Sequence, residues 1–273
     1  MNERNVDPAN WREICADYHQ VTSYDRATLE EIWEERSYDR DNRPETYLSY
    51  PDALARVPLG QPEPPPAAPD LWAVLRNRRS KRDYLDQPLS LAELNLLLWA
   101  TQGITGDLGD YQLRTAPSSG ALYPIETFLF VQRVEGLEPG LYHLDVKAWE
   151  LEALRHEPLE QISTTACEVA LDQEHARRAG VNFLWTAVME RCRRKYYERA
   201  WRYVWWDSGH IAENLHLAAT ALGLGSVSMG AWYDRQAHEV LGIDGVEHFT
   251  TLMASVGKIG GEDWRADRRI EEG

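Results

Sequence analysis

The chain has 273 residues, 43% of them hydrophobic, and a formal net charge of -15. That is enough apolar material for one large domain, and an acidic balance that repels nucleic acid and anionic membrane surfaces, so neither is expected as a partner. No run approaches the roughly 18 apolar residues of a membrane span, the first residues lack a signal-peptide core, and Cys15, Cys167 and Cys192 form no CxxC pair or metal spacing, so a soluble, cytoplasmic protein with reduced thiols and no metal is expected.

Residues 1–69 are charged and aromatic and then turn proline-rich at Pro62-Glu63-Pro64-Pro65-Pro66, which favours extended polyproline structure; they are expected to be an arm and linker before a main domain at 70–273. Thr28 with Glu31 is a capping-box pattern for a helix over Thr28 to Glu35. Asp70 to Asn77 is expected to be a short amphipathic helix with Leu71, Val74 and Leu75 on one side. Its end carries five cations in seven positions, Arg76 to Arg82, with Ser80 among them. Arginine forks and a hydroxyl match phosphate oxygens, yet a helix C-terminus has the wrong dipole for an anion, and arginines there equally well cap carbonyls.

Ser90 and Glu93 form a second capping box, before Leu94, Leu96, Leu97, Leu98 and Trp99, which predicts a buried helix ending near Gly103. Gly106, Gly109, Pro117, Gly120 and Pro124 make residues 105–124 a loop, of a kind that approaches ligands closely. Ile125 to Val131 and Val181 to Val188 are expected strands, and a hairpin turns at Asp145-Val146-Lys147. Leu159 to Ala170 is expected to be helical, followed by a charged run over Asp172 to Arg178 that is a solvated connection or a continuation of the helix. From Arg191 to Leu224 the pattern is helical almost throughout, and its second half, Ile211 to Leu222, is nearly apolar all round, which requires burial on several sides. Ser226 to Met229 and Phe249 to Val256 complete the strands. The fold class is α+β, one mixed sheet flanked by helices, with a loose charged tail after Gly261.

Arg78-Arg79-Ser80-x-Arg82-x-Tyr84, Arg114-Thr115-x-Pro117-Ser118-Ser119-Gly120-Ala121-Leu122-Tyr123-Pro124 and Arg202-Tyr203-x-x-x-Asp207-x-Gly209-His210 together resemble the nitroreductase fold, and within it the SagB-type dehydrogenases of thiazole and oxazole biosynthesis. The resemblance runs from about Asp70 to Lys258 and implies noncovalent FMN in a homodimer with flavin sites at the subunit interface. By it, Arg78, Arg79, Ser80 and Arg82 would hold the phosphate, with Lys258 standing where the family usually has an arginine. Pro117, Ser118, Ser119 and Gly120 would reach the ring from the second subunit. Met229, Gly230 and Ala231 would lie along it, the Gly230 N–H toward N5. Lys195 and Tyr196 fall where azoline oxidases keep an adjacent lysine and tyrosine for proton transfer. A desolvated lysine beside the ring is a physically sensible base for removing a C–H proton; read without the resemblance, the pair is the solvated end of a basic run.

His210, on an apolar helix, reads as a core histidine that Asp207 and Asn214 cap or hydrogen-bond; Tyr123 and Trp232 are candidates for the substrate face. Cys192, next to arginines, is a thiol whose pKa they would lower, but no histidine partner marks it as a nucleophile. The implied function is oxidation of an azoline or a related amino-acid-derived substrate, small, carrier-bound or delivered as a peptide by a partner protein. An NAD(P)H-dependent nitro or quinone reductase and a flavin-free accessory subunit are the alternatives.

Overall fold

The structure is a computed structural model that describes residues 11–24, 44–64, 67–109 and 112–260. The helix expected at Thr28 to Glu35, residues Pro65 and Pro66 of the proline run, and the tail after Gly261 lie outside the described residues. In chain order the described elements begin with α1 (Trp11–Val21), β1 (Ala55–Pro58), α2 (Leu71–Asn77), α3 (Leu91–Gln102), β2 (Ile104–Asp107), β3 (Gln112–Arg114), β4 (Ile125–Val131), β5 (Gly140–Asp145) and β6 (Glu150–His156). There follow α4 (Leu159–Val169), α5 (Glu174–Arg178), β7 (Val181–Val188), α6 (Met189–Tyr196), α7 (Ala200–Ala221), β8 (Gly225–Met229), α8 (Asp234–Leu241) and β9 (His248–Gly257).

Seven strands form one sheet in the order β1-β6-β5-β4-β7-β9-β8. Its ladders are antiparallel, and a parallel bridge between Ser80 and Ser226 extends the β8 edge. β4 is buried at every position because helices cover both faces, so it reads as a near-continuous apolar run. Ile125, Leu129 and Val131 of β4 with Phe183, Trp185 and Ala187 of β7 share one core with α3, α6 and α7. The alternate residues Phe128, Phe130 and Leu184 pack on the other side with Ile162, Ala166 and Val169 of α4 and Ala237 and Leu241 of α8.

The capping box of α3 is formed: the Ser90 hydroxyl accepts from the Glu93 N–H and the Glu93 carboxylate accepts from the Ser90 N–H. Several expectations change. The 105–124 loop contains the β2–β3 hairpin. The long helix breaks at Tyr197, whose φ of 50° ends α6 before a short 3-10 turn and α7; a left-handed residue cannot continue a right-handed helix. The helix α8 lies where no element was read. In α2 only Val74 is buried, while Leu71, Trp72 and Leu75 face outward.

Residues 44–60, read as part of the arm, join the sheet: β1 pairs with β6 along the edge, and the Asn95 amide donates to the carbonyls of Leu59 and Gly60. Just upstream, a buried ion network clasps the chain. Arg191 donates through Nε to the Glu45 carbonyl at 2.6 Å and through Nη1 to Glu126 at 2.5 Å. His143 bridges Glu126 (3.1 Å) and Glu152 (2.9 Å), and Glu152 accepts from the Ser49 hydroxyl and the Tyr50 N–H.

Candidate active site

Two constellations stand on α7. The first is a basic corner. Arg78 caps the end of α2, its N–H bonded to the Val74 carbonyl and its Nε 3.8 Å from Glu213 of α7. Ser80 is bridged to Ser226, the Lys81 N–H donates to the Ser226 carbonyl at 2.9 Å, and Tyr84 bridges Ile259. These bonds stitch residues 80–84 between β8 and the end of β9, and the Leu85 N–H donates to the Lys258 carbonyl, so Lys258 lies at the same edge of the sheet. Close approach here requires glycine: a Cβ on Gly257 would sit 2.8 Å from the Tyr84 ring. Ser80 and Arg82 are exposed and Arg78 half-buried. Arg79 does part of what a cation at a helix end does, donating to the carbonyls of Arg76 (3.1 Å) and Arg78 (2.7 Å). Lys258 is 2.6 Å from Glu93, which burial alone would raise in pKa but which this amine and the Ser90 donors hold below its usual range. His216, buried under the corner between Ser226 Oγ and Ser228 Oγ, is pushed down to about 4 by burial and by the charge of Arg78, so it is neutral at pH 7. From the corner β8 leads to Met229, which is buried, and to Gly230 and Ala231, which are exposed; a side chain on Gly230 would meet open space.

The second constellation joins the Pro117–Gly120 loop to the end of α6. Gly120 has φ 65°, and Ala121 (54°) and Tyr123 (46°) are also left-handed, a cluster of disfavoured backbone held by its surroundings. A Cβ on Gly120 would lie 2.5 Å from the Tyr196 hydroxyl and 2.8 Å from Lys195 Nζ, so both side chains end against this loop. Tyr196 packs edge-on to Tyr203 with ring centres 4.5 Å apart, and Lys195 Nζ lies 5.3 Å from the centre of the Tyr196 ring. Lys195 is exposed in the single chain, so the expected desolvation is not supplied by this subunit alone.

Behind the loop, Asp207 of α7 is 1% exposed and accepts from Ser118 Oγ (2.6 Å), the Ser119 N–H (3.2 Å) and Ser119 Oγ (3.3 Å). Burial raises its pKa, against the lowering by these donors. Asp207 therefore holds the loop rather than capping His210, and His210 is exposed rather than a core residue; Asn214 donates to the Ala100 carbonyl. Cys192 is also corrected: burial, with the Asp207 charge adding, pushes its thiol up to about 12, and it is inert. Tyr123 is buried, its hydroxyl accepting from the Arg114 N–H, while Trp232 is half-buried. In the sequence Arg114 stands out only as the first residue of a motif. It lies buried between the rings of Tyr123 (4.6 Å) and Tyr47 (5.4 Å) and donates to Gln102, so it braces the loop from beneath. Nothing in the local sequence marks that role, because its partners Tyr47, Gln102 and Tyr123 come from three separate segments.

A seven-stranded sheet with a basic corner at one edge and a strained glycine loop against a Lys–Tyr pair defines a small-ligand enzyme fold. The chain belongs to the nitroreductase family, whose model matches residues 75–258. It is 37% identical, over 68% of its length and 89% of the relative's, to a protein of Methanocaldococcus jannaschii designated a nitroreductase. It is 31% identical, over 51% of its length, to the trifolitoxin-processing protein TfxB of Rhizobium leguminosarum bv. trifolii, of which it spans 39%. A crystal structure of an Anabaena variabilis protein designated a nitroreductase superposes with a TM-score of 0.66 at 30% identity, covering 78% of this chain and 44% of that one. Among the described residues no helix is long and apolar enough to cross a membrane.

Proposed function

We propose that this chain is an FMN-dependent oxidoreductase of the SagB type, oxidising an azoline or a related amino-acid-derived substrate in natural-product biosynthesis, as a homodimer with its flavin sites between subunits. The observation that carries this reading is the convergence of Lys195 and Tyr196 on Gly120. A reductase that only passes electrons needs no base there, whereas oxidising a C–H bond does. The 31% identity to a trifolitoxin-processing protein agrees with a biosynthetic substrate, free, carrier-bound or delivered by a partner protein.

The residues present fit FMN. Arg78, Arg79, Ser80, Arg82 and Lys258 would supply the cations and hydroxyl that a phosphate requires, although Arg78 and Lys258 already face Glu213 and Glu93. Met229, Gly230 and Ala231 would border the ring, and Gly230 has an exposed backbone with no side chain in the way. Pro117, Ser118, Ser119 and Gly120 would come from the other subunit, whose approach would also dry the environment of Lys195. Bound FMN supplies a two-electron acceptor. Lys195, in its neutral form, takes the proton from the substrate carbon, and the Tyr196 hydroxyl orients the amine or relays that proton.

The test compares two activities of the purified protein. Lys195→Ala and Tyr196→Phe should keep FMN and lower oxidation of a thiazoline-4-carboxylate probe by roughly 10² to 10⁴, while quinone reduction by the reduced flavin stays nearly unchanged. Equal loss of both, or loss of neither, sinks the assignment of the base. The 37% identity to a protein designated a nitroreductase favours a second reading, an NAD(P)H-dependent nitro or quinone reductase. Rapid anaerobic bleaching of the flavin by NAD(P)H, with both variants fully active, would establish it.

A further inference from the structure

The loop and the Lys–Tyr pair are not in one element, and two features show how they are kept in register. Behind the Pro117–Gly120 loop lies a cavity of only about 10 Å³, room for one water, lined by Gln102, Pro117, Ser118, Tyr123, Asp207 and Ile211, while Pro117 and Gly120 themselves are exposed. The loop is tethered by polar bonds to one buried carboxylate. Asp207 takes both Ser118 and Ser119, and Ser118 Oγ in turn accepts from the Tyr123 N–H at 2.9 Å, which closes the loop on itself. Asp207 also lies on the helix that follows directly from the pair: Tyr196 ends α6, a 3-10 turn spans Tyr197–Arg199, and α7 begins at Ala200. Asp207 and Lys195 both lie near enough to the buried Cys192 thiol to act on its charge, in opposite senses.

We propose that Asp207 is a positioning residue: by holding Ser118 and Ser119 it keeps Gly120 against Lys195 and Tyr196, so that the loop and the pair move as one unit referenced to α7. The catalytic meaning of that unit rests on the oxidase reading above; the mechanical coupling does not. Removing the carboxylate charge leaves the size of the side chain and part of its acceptor capacity, yet it weakens the charge-assisted bonds that hold Ser118 and Ser119. The loop then withdraws into solvent, and Lys195 loses the backbone it abuts.

The test uses the full chain and no substrate. In Asp207→Asn, amide exchange at residues 118–120 should rise about tenfold, as expected for loss of a hydrogen bond to a charged acceptor. Labelling of Lys195 by acetic anhydride, resolved by mass spectrometry, should speed up by at least about threefold relative to Lys147, which sits in the distant β5–β6 turn and serves as the control. A merely structural anchor would loosen the loop and leave Lys195 labelling level with Lys147; that outcome overturns the proposal, as does unchanged exchange. Should Asp207→Asn raise exchange throughout the sheet, the Ser118→Ala/Ser119→Ala variant decides by the same two criteria, because it removes the hydroxyl donors and leaves α7 intact. The outcome is separable from that of the oxidase reading, which stands or falls on the activity ratio of Lys195→Ala and not on exchange or labelling.

Discussion

At the scale of single residues, the buried ions of the clasp carry the clearest pH dependence. Burial alone would raise the pKa of Glu126, but the Arg191 guanidinium and His143 hold it at about 2, against its ordinary 4.5. Burial would likewise lower His143, yet hydrogen bonds to Glu126 and Glu152 raise it above its ordinary 6.5. The two signs are opposite. Glu126 contributes stability that is present above pH 4.5 and lost as the pH falls toward 2; His143 contributes stability that is complete below 6.5 and lost as the pH rises through its raised folded value. Denaturant titrations should therefore show stability falling on the alkaline side in the wild type, and His143→Gln should remove that fall. Glu126→Gln leaves Arg191 and His143 with one neutral neighbour in a buried site and should cost about 3 to 5 kcal/mol, measured by urea unfolding at pH 7. The basic corner predicts differently. Arg78→Ala or Arg82→Ala should lower the FMN content of purified protein, each charge-assisted bond being worth about 1.5 to 3 kcal/mol, with little change in the stability of the flavin-free chain. Full retention of the cofactor in both would remove them from the phosphate site.

At the scale of elements, local signals with a mechanism survive folding. The Ser90–Glu93 box starts α3 where its side chains reach backbone donors three residues away. Ser90→Ala should cost about 1 kcal/mol by thermal unfolding, since it leaves a helix N-terminus with one fewer acceptor. The stretch from Arg191 to Leu224 has helical periodicity across the break, because its apolar spacing says which face is buried and nothing about φ at Tyr197. That break turns the chain between α6 and α7, so that Lys195 and Tyr196 end against Gly120. In the 105–124 segment, glycines and prolines correctly signal a chain leaving regular structure. They do not reveal the β2–β3 hairpin, whose paired residues are held by register with one another rather than by an apolar face.

At the scale of the molecule, one sheet is buried on both faces, yet the surface keeps exposed aromatic residues: Trp72 of α2 is 73% exposed, and Trp205 and Trp206 of α7 are 42% and 50% exposed. Ala218, on the apolar half of α7, is already packed against the core of its own subunit, so α7 meets its burial requirement largely within one chain. The proposed dimer is therefore tested at the exposed residues. Trp206→Glu should turn a sedimenting dimer into a monomer and release FMN, while Lys147→Glu in the β5–β6 turn should do neither. A wild-type monomer that retains FMN would contradict the shared site.

The strands β4, β7 and β9, the helices α3 and α4, the fold class and the basic cluster are legible in the chain itself, because apolar period, capping chemistry and charge are local properties of neighbouring residues. The site is legible only as separate motifs. That Asp207 holds Ser118 and Ser119, that Gly120 faces Lys195 and Tyr196, and that Arg191 ties Glu45 to Glu126 were decided by tertiary structure. Each of those contacts joins residues 65 or more positions apart, and no periodicity extends that far. Cys192 and His210 make the same point: their neighbours in sequence suggest a reactive thiol and a core imidazole, and burial, which only the packed fold sets, gives an inert thiol and an exposed ring.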